Sequence, residues 1–234
     1  MHIAIVALGP SSLQYIQMVE SLGGRHAYCD QTWVINTYGN VLDHDLVFHM
    51  DDVRVQEIRA KANPTGKIAR MLEWLKTHHK PVVTSRTHPD YPALEAFPLE
   101  AVVNTFGSIY FNNTAAYAIA LALFRGARTL SLFGIDFTWP NAHEAEKGRA
   151  CCEYWLGRAQ ALGVQLHIAD SSTLMDSSAP FENRLYGYDT LHVDLAINDG
   201  KARIKFTPKP DDQLPTAAEI EHRYDHSLNG STPP

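Results

Sequence analysis

The chain has 234 residues, 45% hydrophobic and 20% charged, with a formal net charge of -6. That length can bury a full core in one or two domains, and the acidic balance offers no field for a phosphate backbone, so duplex nucleic acid is not the expected partner. Met1 to Leu8 lacks the basic and long apolar regions of a signal peptide. No window approaches the roughly 18 apolar residues of a membrane span. The three cysteines, Cys29, Cys151 and Cys152, form neither a disulfide framework nor a spaced metal motif. A reduced, cytoplasmic setting is the expectation.

The run His2 to Leu8 predicts a central strand stopping at Gly9-Pro10, and Leu13, Ile16 and Val19 give the following Ser11 to Leu22 a helical period, with Ser11 or Ser12 as cap. Trp33 to Asn36 and Leu46 to Met50 predict two more strands, each ending on a polar residue. An amphipathic helix over Gly66 to His79 leads to a strand over Pro81 to Ser85. Three prolines make His88 to Pro98 mostly loop or short turns, and Glu100 to Asn104 reads as a strand. Asn112 to Ala127 is an alanine-rich helix capped by Asn112 or Asn113 and stopped by Gly126. Thr129 to Phe133 is the next strand, Glu144 to Gly163 the next helix, and Val164 to Ala169 the strand after it.

This alternation predicts an α/β fold: a Rossmann-like three-layer sandwich with a mostly parallel sheet. A Rossmann-like nucleotide-binding domain over 1–175 and a carboxy-terminal extension over 176–234 are the expected units. Lys201 to Pro208 reads as an edge strand of the extension, followed by a weakly patterned, disordered tail.

Loops leaving the carboxyl ends of parallel strands carry ligands. Gly9, Pro10, Ser11 and Ser12 follow the first strand and open a helix, an arrangement that turns backbone N–H groups toward a phosphate. The stretch is neither GxGxxG nor a P-loop, and a plain tight turn is the bland alternative. Asn36 is placed to read a base or ribose, and Asp51 to hold a ribose hydroxyl or magnesium; Asp52 reads as a helix cap, and His49 as packed rather than ligating.

The segments "ALGPSSLQYI", "DLVFHMDD" and "GSIYFNNTAAYAIALALFRGARTLSLFGIDFTW" together resemble the glycosyltransferase-like Rossmann superfamily, which includes bacterial sialyltransferases and 6-hydroxymethylpterin pyrophosphokinase-like and motility accessory proteins. The segment Glu153 to Met175 is also similar to small bacteriophage-encoded members, which would place the chain in a host cytoplasm. The resemblance implies a nucleotide or nucleotide-sugar donor facing Gly9, Pro10, Ser11, Asn36, Asp51, Gly107, Ser108, Asn113, Gly134 and Asp136. The fuller Gly-Asn-Gly-Pro-Ser form of the turn is absent, since Ala7-Leu8 precedes Gly9.

Asp136 is the first charge after the strand ending at Phe133 and reads as a base for an acceptor hydroxyl or as a turn-capping acid. His143, in the loop after Asp136, is the other candidate proton acceptor for the attacking hydroxyl; with Asp136 as the base it would instead serve a phosphate, and a plain exposed loop histidine is the bland alternative. Arg86 leaves a strand end and is the candidate cation for phosphate charge. Arg184, Tyr186 and Tyr188 lie in a segment that could close over a ligand. Adjacent Cys151 and Cys152 point about 100° apart on a helix, which favours burial over joint ligation; no zinc is expected, and magnesium only with ligand phosphates. The preferred function is a nucleotide- or nucleotide-sugar-dependent transferase, acting on a small or polymer-borne acceptor. The rival is a non-catalytic nucleotide-binding or sequestering protein. Self-association into a homo-oligomer stays open.

Overall fold

A computed structural model, describing residues 1–198 and 201–224, places seven short strands in one parallel sheet. In chain order the elements are β1 (His2–Val6), α1 (Ser12–Ser21), α2 (Arg25–Tyr28), β2 (Gln31–Ile35), β3 (Leu46–Phe48), α3 (Val53–Ala62), α4 (Lys67–Thr77), β4 (Val82–Thr84), β5 (Leu94–Ala96), α5 (Leu99–Phe106), α6 (Thr114–Phe124), β6 (Thr129–Phe133), α7 (Ala142–Ala161), β7 (Gln165–Ile168), β8 (Leu191–Asn198), β9 (Lys201–Pro208) and α8 (Ala217–Tyr224). The strand order is β5-β4-β3-β2-β1-β6-β7, with every neighbouring pair parallel. The fold is an α/β, Rossmann-like sandwich.

Successive side chains of a strand face opposite sides of the sheet, so a sheet covered on both faces needs apolar residues at every position. Ile3, Ile5, Trp33, Phe48, Leu130 and Leu132 pack on one side with α6 and α7. Ala4, Val6, Val34, Val47 and Val82 pack on the other with Tyr15 of α1 and Met71, Leu72 and Leu75 of α4. Five buried alanines let α6 approach the sheet closely while Ile119 and Leu121 fill the gaps. Truncating Ile119 to alanine would leave a cavity and cost roughly 2–5 kcal/mol.

The chain builds β1 to β5 outward in one direction, then returns to lay β6 against the opposite edge of β1. The crevice between the carboxyl ends of β1 and β6 is therefore the topological switch point, where open α/β sheets bind ligands.

Several local readings are corrected. The segment Glu100 to Asn104 is not a strand but part of α5, which buries only Val102 and ends at Gly107 in the left-handed conformation (φ 62°). His88 to Pro98 is mostly loop and turn, as expected, apart from Leu94–Ala96, which pairs with β4. α3 has no clear apolar period, since only Val53 and Gln56 are buried, and it starts on Asp52, whose carboxylate accepts the Arg54 N–H. Lys201–Pro208 is a strand of the extension, as expected, and pairs antiparallel with β8 in a two-stranded hairpin separate from the main sheet. The carboxy-terminal region contains helix α8, and the predicted disordered end beyond Tyr224 lies outside the described residues.

Candidate functional site

The exits from β1 and β6 are tied together before any pocket forms. Ala7 N–H donates to Phe133 O and Gly9 N–H to Gly134 O, both at 2.8 Å. Gly134 has φ 69°, and a Cβ there would collide with the Ala7 carbonyl, so glycine is required by conformation and by space. A Cβ on Gly9 would meet Asp136 Oδ2 at 2.5 Å and Gly134 O at 2.6 Å.

Asp136, 4% exposed, closes over the start of α1. One carboxylate oxygen accepts the Ser11 N–H at 2.8 Å, and the other accepts the Ser11 hydroxyl at 2.5 Å. Ser11 Oγ in turn accepts the Gly134 N–H at 2.7 Å. Ser11 therefore does not cap α1 with its own side chain; Asp136 caps it from 125 residues away. Ser12 N–H donates to Gly9 O and Leu13 N–H to Pro10 O. The donors read as a phosphate cradle are thus committed, and the chain's own carboxylate holds the positive end of the helix. Ser12 is buried, its hydroxyl accepting from Tyr38 OH at 2.8 Å.

Above this lock lies a cavity of about 430 Å³. Gly9 and Pro10 form one wall, Ile35 and Asn36 a second, the start of α6 at Asn113, Thr114 and Ala115 a third, and Ile135 to Trp139 the fourth. Phe137 holds a left-handed backbone (φ 48°), unusual for an aromatic residue. Its ring lies where a Cβ of Gly148 on α7 would stand, 2.5 Å from Cε1, and it meets Trp139 edge-on at 5.6 Å. Hydroxyls of Ser172 and Thr173 bind the carbonyls of Ile135 and Asp136, fixing the loop from behind. Trp139 is half-exposed at the rim.

The helix terminus that does face the cavity belongs to α6. Asn113 Oδ1 accepts the Ala116 N–H at 3.0 Å, and its Nδ2 donates to Gly148 O at 3.0 Å, so the cap is anchored to α7. Cys152, fully buried and with its thiol pKa raised by that burial, donates to the same Oδ1 at 3.3 Å. Helix geometry leaves the first N–H groups, Thr114 and Ala115, without intrahelical acceptors. Both residues line the cavity. An anion there meets two donors and the positive end of an eleven-residue helix.

Gly9, Pro10, Asn36, Asn113, Gly134 and Asp136 are brought together as the sequence suggests. Other candidates fall outside the lining. His143 is exposed in the first turn of α7, Asp51 is exposed beyond β3, and Gly107 and Ser108 end α5, with Ser108 Oγ accepting from Tyr110 N–H. Arg86 is exposed, 3.8 Å from Asp52. Tyr188 stacks on Phe206 of β9 and Tyr186 projects outward. Cys151 and Cys152 are both buried in α7. Among the described residues no three His, Cys, Asp or Glu side chains gather to hold a metal ion. Among the described residues, the cavity's one ionisable lining side chain is Asp136, and both of its oxygens serve Ser11. Thr114, Ala115, Phe137 and Trp139 were not singled out by motif; the capping Asn113 and the aromatic "DFTW" stretch are their only signals in the sequence.

No family model matches the chain, and no curated protein matches it. Among solved structures it is similar to the sialyltransferase CstII from Campylobacter jejuni in complex with the substrate analogue CMP-3FNeuAc, at 14% identity and TM-score 0.42 over 74% of this chain and 82% of that one. It is similar to the same enzyme with cytidine-5'-monophosphate, at 14% identity and TM-score 0.43 over 96% and 98% of the two chains. The complex of CST-II with a trisaccharide acceptor and CMP gives 12% identity and TM-score 0.43 over 96% and 99%. Likeness at this level transfers neither residues nor activity.

Proposed function

We propose that the chain is a nucleotide- or nucleotide-sugar-dependent transferase of glycosyltransferase type, its donor seated in the cavity between β1 and β6. The observation that carries this reading is the cavity itself: about 430 Å³ at the switch point, with Thr114 and Ala115 from the first turn of α6 at one wall and aromatic Phe137 and Trp139 at another. That size falls within the roughly 300–1,000 Å³ of small-molecule sites. A phosphate belongs at the start of α6, and an apolar ring of the donor belongs against Ile35, Pro10 and the aromatic loop.

Transfer is favoured over storage by the charge of the walls. A sequestering site needs cations to hold a polyphosphate tightly, and among the described residues no Lys or Arg lines this cavity. One helix terminus gives moderate affinity, which suits release of a spent nucleotide. In this reading Asp136 orients the turn and the cavity floor, and the acceptor approaches past the Trp139 rim.

The test is a mass-spectrometric screen of co-purified and added nucleotides and nucleotide sugars, followed by assay of the hits for loss of the donor with a panel of sugar acceptors. Multiple turnovers of one donor are expected. Stoichiometric binding without turnover would give the function to the sequestering rival, and no binding would remove both.

A further inference from the structure

Resting on the nucleotide reading of the cavity, we propose that His49, which does not itself line it, fixes the carboxamide of Asn36 as a hydrogen-bond donor, so that the site selects a ligand presenting an acceptor edge, a carbonyl oxygen or bare ring nitrogen. Asn36 is the first residue after β2, in a left-handed conformation (φ 54°), and lines the cavity. His49 follows β3 directly, is 1% exposed, and is held in register by its N–H bond to Val83 O at 2.8 Å. Its Nδ1 lies 3.0 Å from Asn36 Oδ1.

An amide oxygen only accepts, so Nδ1 carries the proton and Nε2 is a bare acceptor. Nε2 is buried without a hydrogen-bond partner. The reverse assignment, with Asn36 turned over and the proton on Nε2, would bury an unpaired N–H, a rarer fault than an unpaired lone pair. The other orphaned buried atom among the described residues is Thr84 Oγ1. Thr84 ends β4, the strand paired with β3, but no hydrogen bond joins its hydroxyl to His49 Nε2. Burial lowers the His49 pKa, keeping the ring neutral.

With Oδ1 occupied, Asn36 offers the cavity its Nδ2 protons. Cytidine 5′-monophosphate is the probe, because O2 and N3 of its base are adjacent acceptors. Asn36→Asp keeps an oxygen for His49 and replaces the Nδ2 donor by a second acceptor. It is expected to keep the thermal stability and weaken the probe about 30-fold or more, the cost of opposing two acceptors. His49→Phe frees the carboxamide to turn and should weaken binding about tenfold, whereas His49→Gln, which retains a donor, should restore most of it. A purely structural His49 predicts instead that His49→Phe, if folded, binds the probe as the parent does, or that His49→Gln recovers nothing over His49→Phe, and either result overturns the proposal. Nitrogen-15 spectra of the His49 ring test it without ligand: a protonated Nδ1 and bare Nε2 are expected, and the opposite tautomer refutes it. If the parent binds no nucleotide, the transferase reading fails while the ring spectrum still decides this one.

Discussion

Asp136 holds Ser11 by two hydrogen bonds at once, 2.8 Å to its N–H and 2.5 Å to its hydroxyl, joining the loop after β6 to the first turn of α1. An acid that the sequence offers as a proton acceptor is thereby built into the frame of the cavity. Charge-assisted bonds of this kind are stronger than neutral ones, and breaking a buried pair leaves Ser11 donors unsatisfied. Asp136→Asn is expected to lower the unfolding free energy by roughly 2–3 kcal/mol, measured by urea denaturation. Unchanged stability with abolished turnover would return Asp136 to catalysis.

Gly9 is expected to resist substitution for a steric reason. The Cβ of Gly9→Ala would stand 2.5 Å from Asp136 Oδ2 and 2.6 Å from Gly134 O, and neither can retreat without undoing the joint between β1 and β6. A loss of about 1–3 kcal/mol should appear as a lowered urea midpoint. An alanine variant as stable as the parent would show that the turn is looser than described.

Stability should fall with acid through a pair of histidines far from the cavity. His44 Nδ1 bonds the Leu42 carbonyl at 2.7 Å, and its Nε2 lies 3.3 Å from His78 Nε2. Burial, then His44, Lys80 and His79, depress the His78 pKa to about 4, and burial lowers that of His44. Folded-state values below the unfolded value of about 6.5 mean that the unfolded chain binds more protons. The stabilisation is complete above pH ~6.5 and is lost as pH falls from there toward 4. Asp43, held below the usual carboxylate range by Lys80 and then Arg25, gives way only in stronger acid. The urea midpoint should therefore drop between pH 7 and pH 5 in the parent, and drop less in His78→Gln; parallel profiles would contradict the assignment.

The sheet was legible because a strand buried on both faces must be apolar throughout, and His2 to Leu8, Leu46 to Met50 and Thr129 to Phe133 carry that mark. The misread pieces lacked it. Val102 and Val103 look like strand residues, but α5 buries only Val102 against the core. α3 shows little apolar surface, and β5 hides among prolines. Strand ends and caps made Gly9, Asn36, Asn113 and Asp136 visible as a cluster. No local pattern reveals that the Ser11 donors are taken by a residue 125 positions away, and that distant partner shifts the proposed anion site from the start of α1 to the start of α6.

Trp139 should report occupancy. Half-exposed at the rim and edge-on to Phe137, it is placed to change environment when a ring enters. Nucleotide addition is expected to alter the intrinsic fluorescence of the parent and to leave that of Trp139→Phe nearly unchanged; an equal response in both would put the ligand elsewhere.

The most direct measurement is a titration of the nitrogen-15-labelled chain with ribonucleoside monophosphates, followed by amide spectra. Binding in the cavity predicts that the largest shifts fall on the Thr114 and Ala115 N–H groups, with smaller ones at Asn36 and Phe137, and that the Ser11 N–H, bonded to Asp136, barely moves. Saturable shifts centred on the first turn of α1, or saturable binding that leaves Thr114 and Ala115 unaffected, would contradict the account.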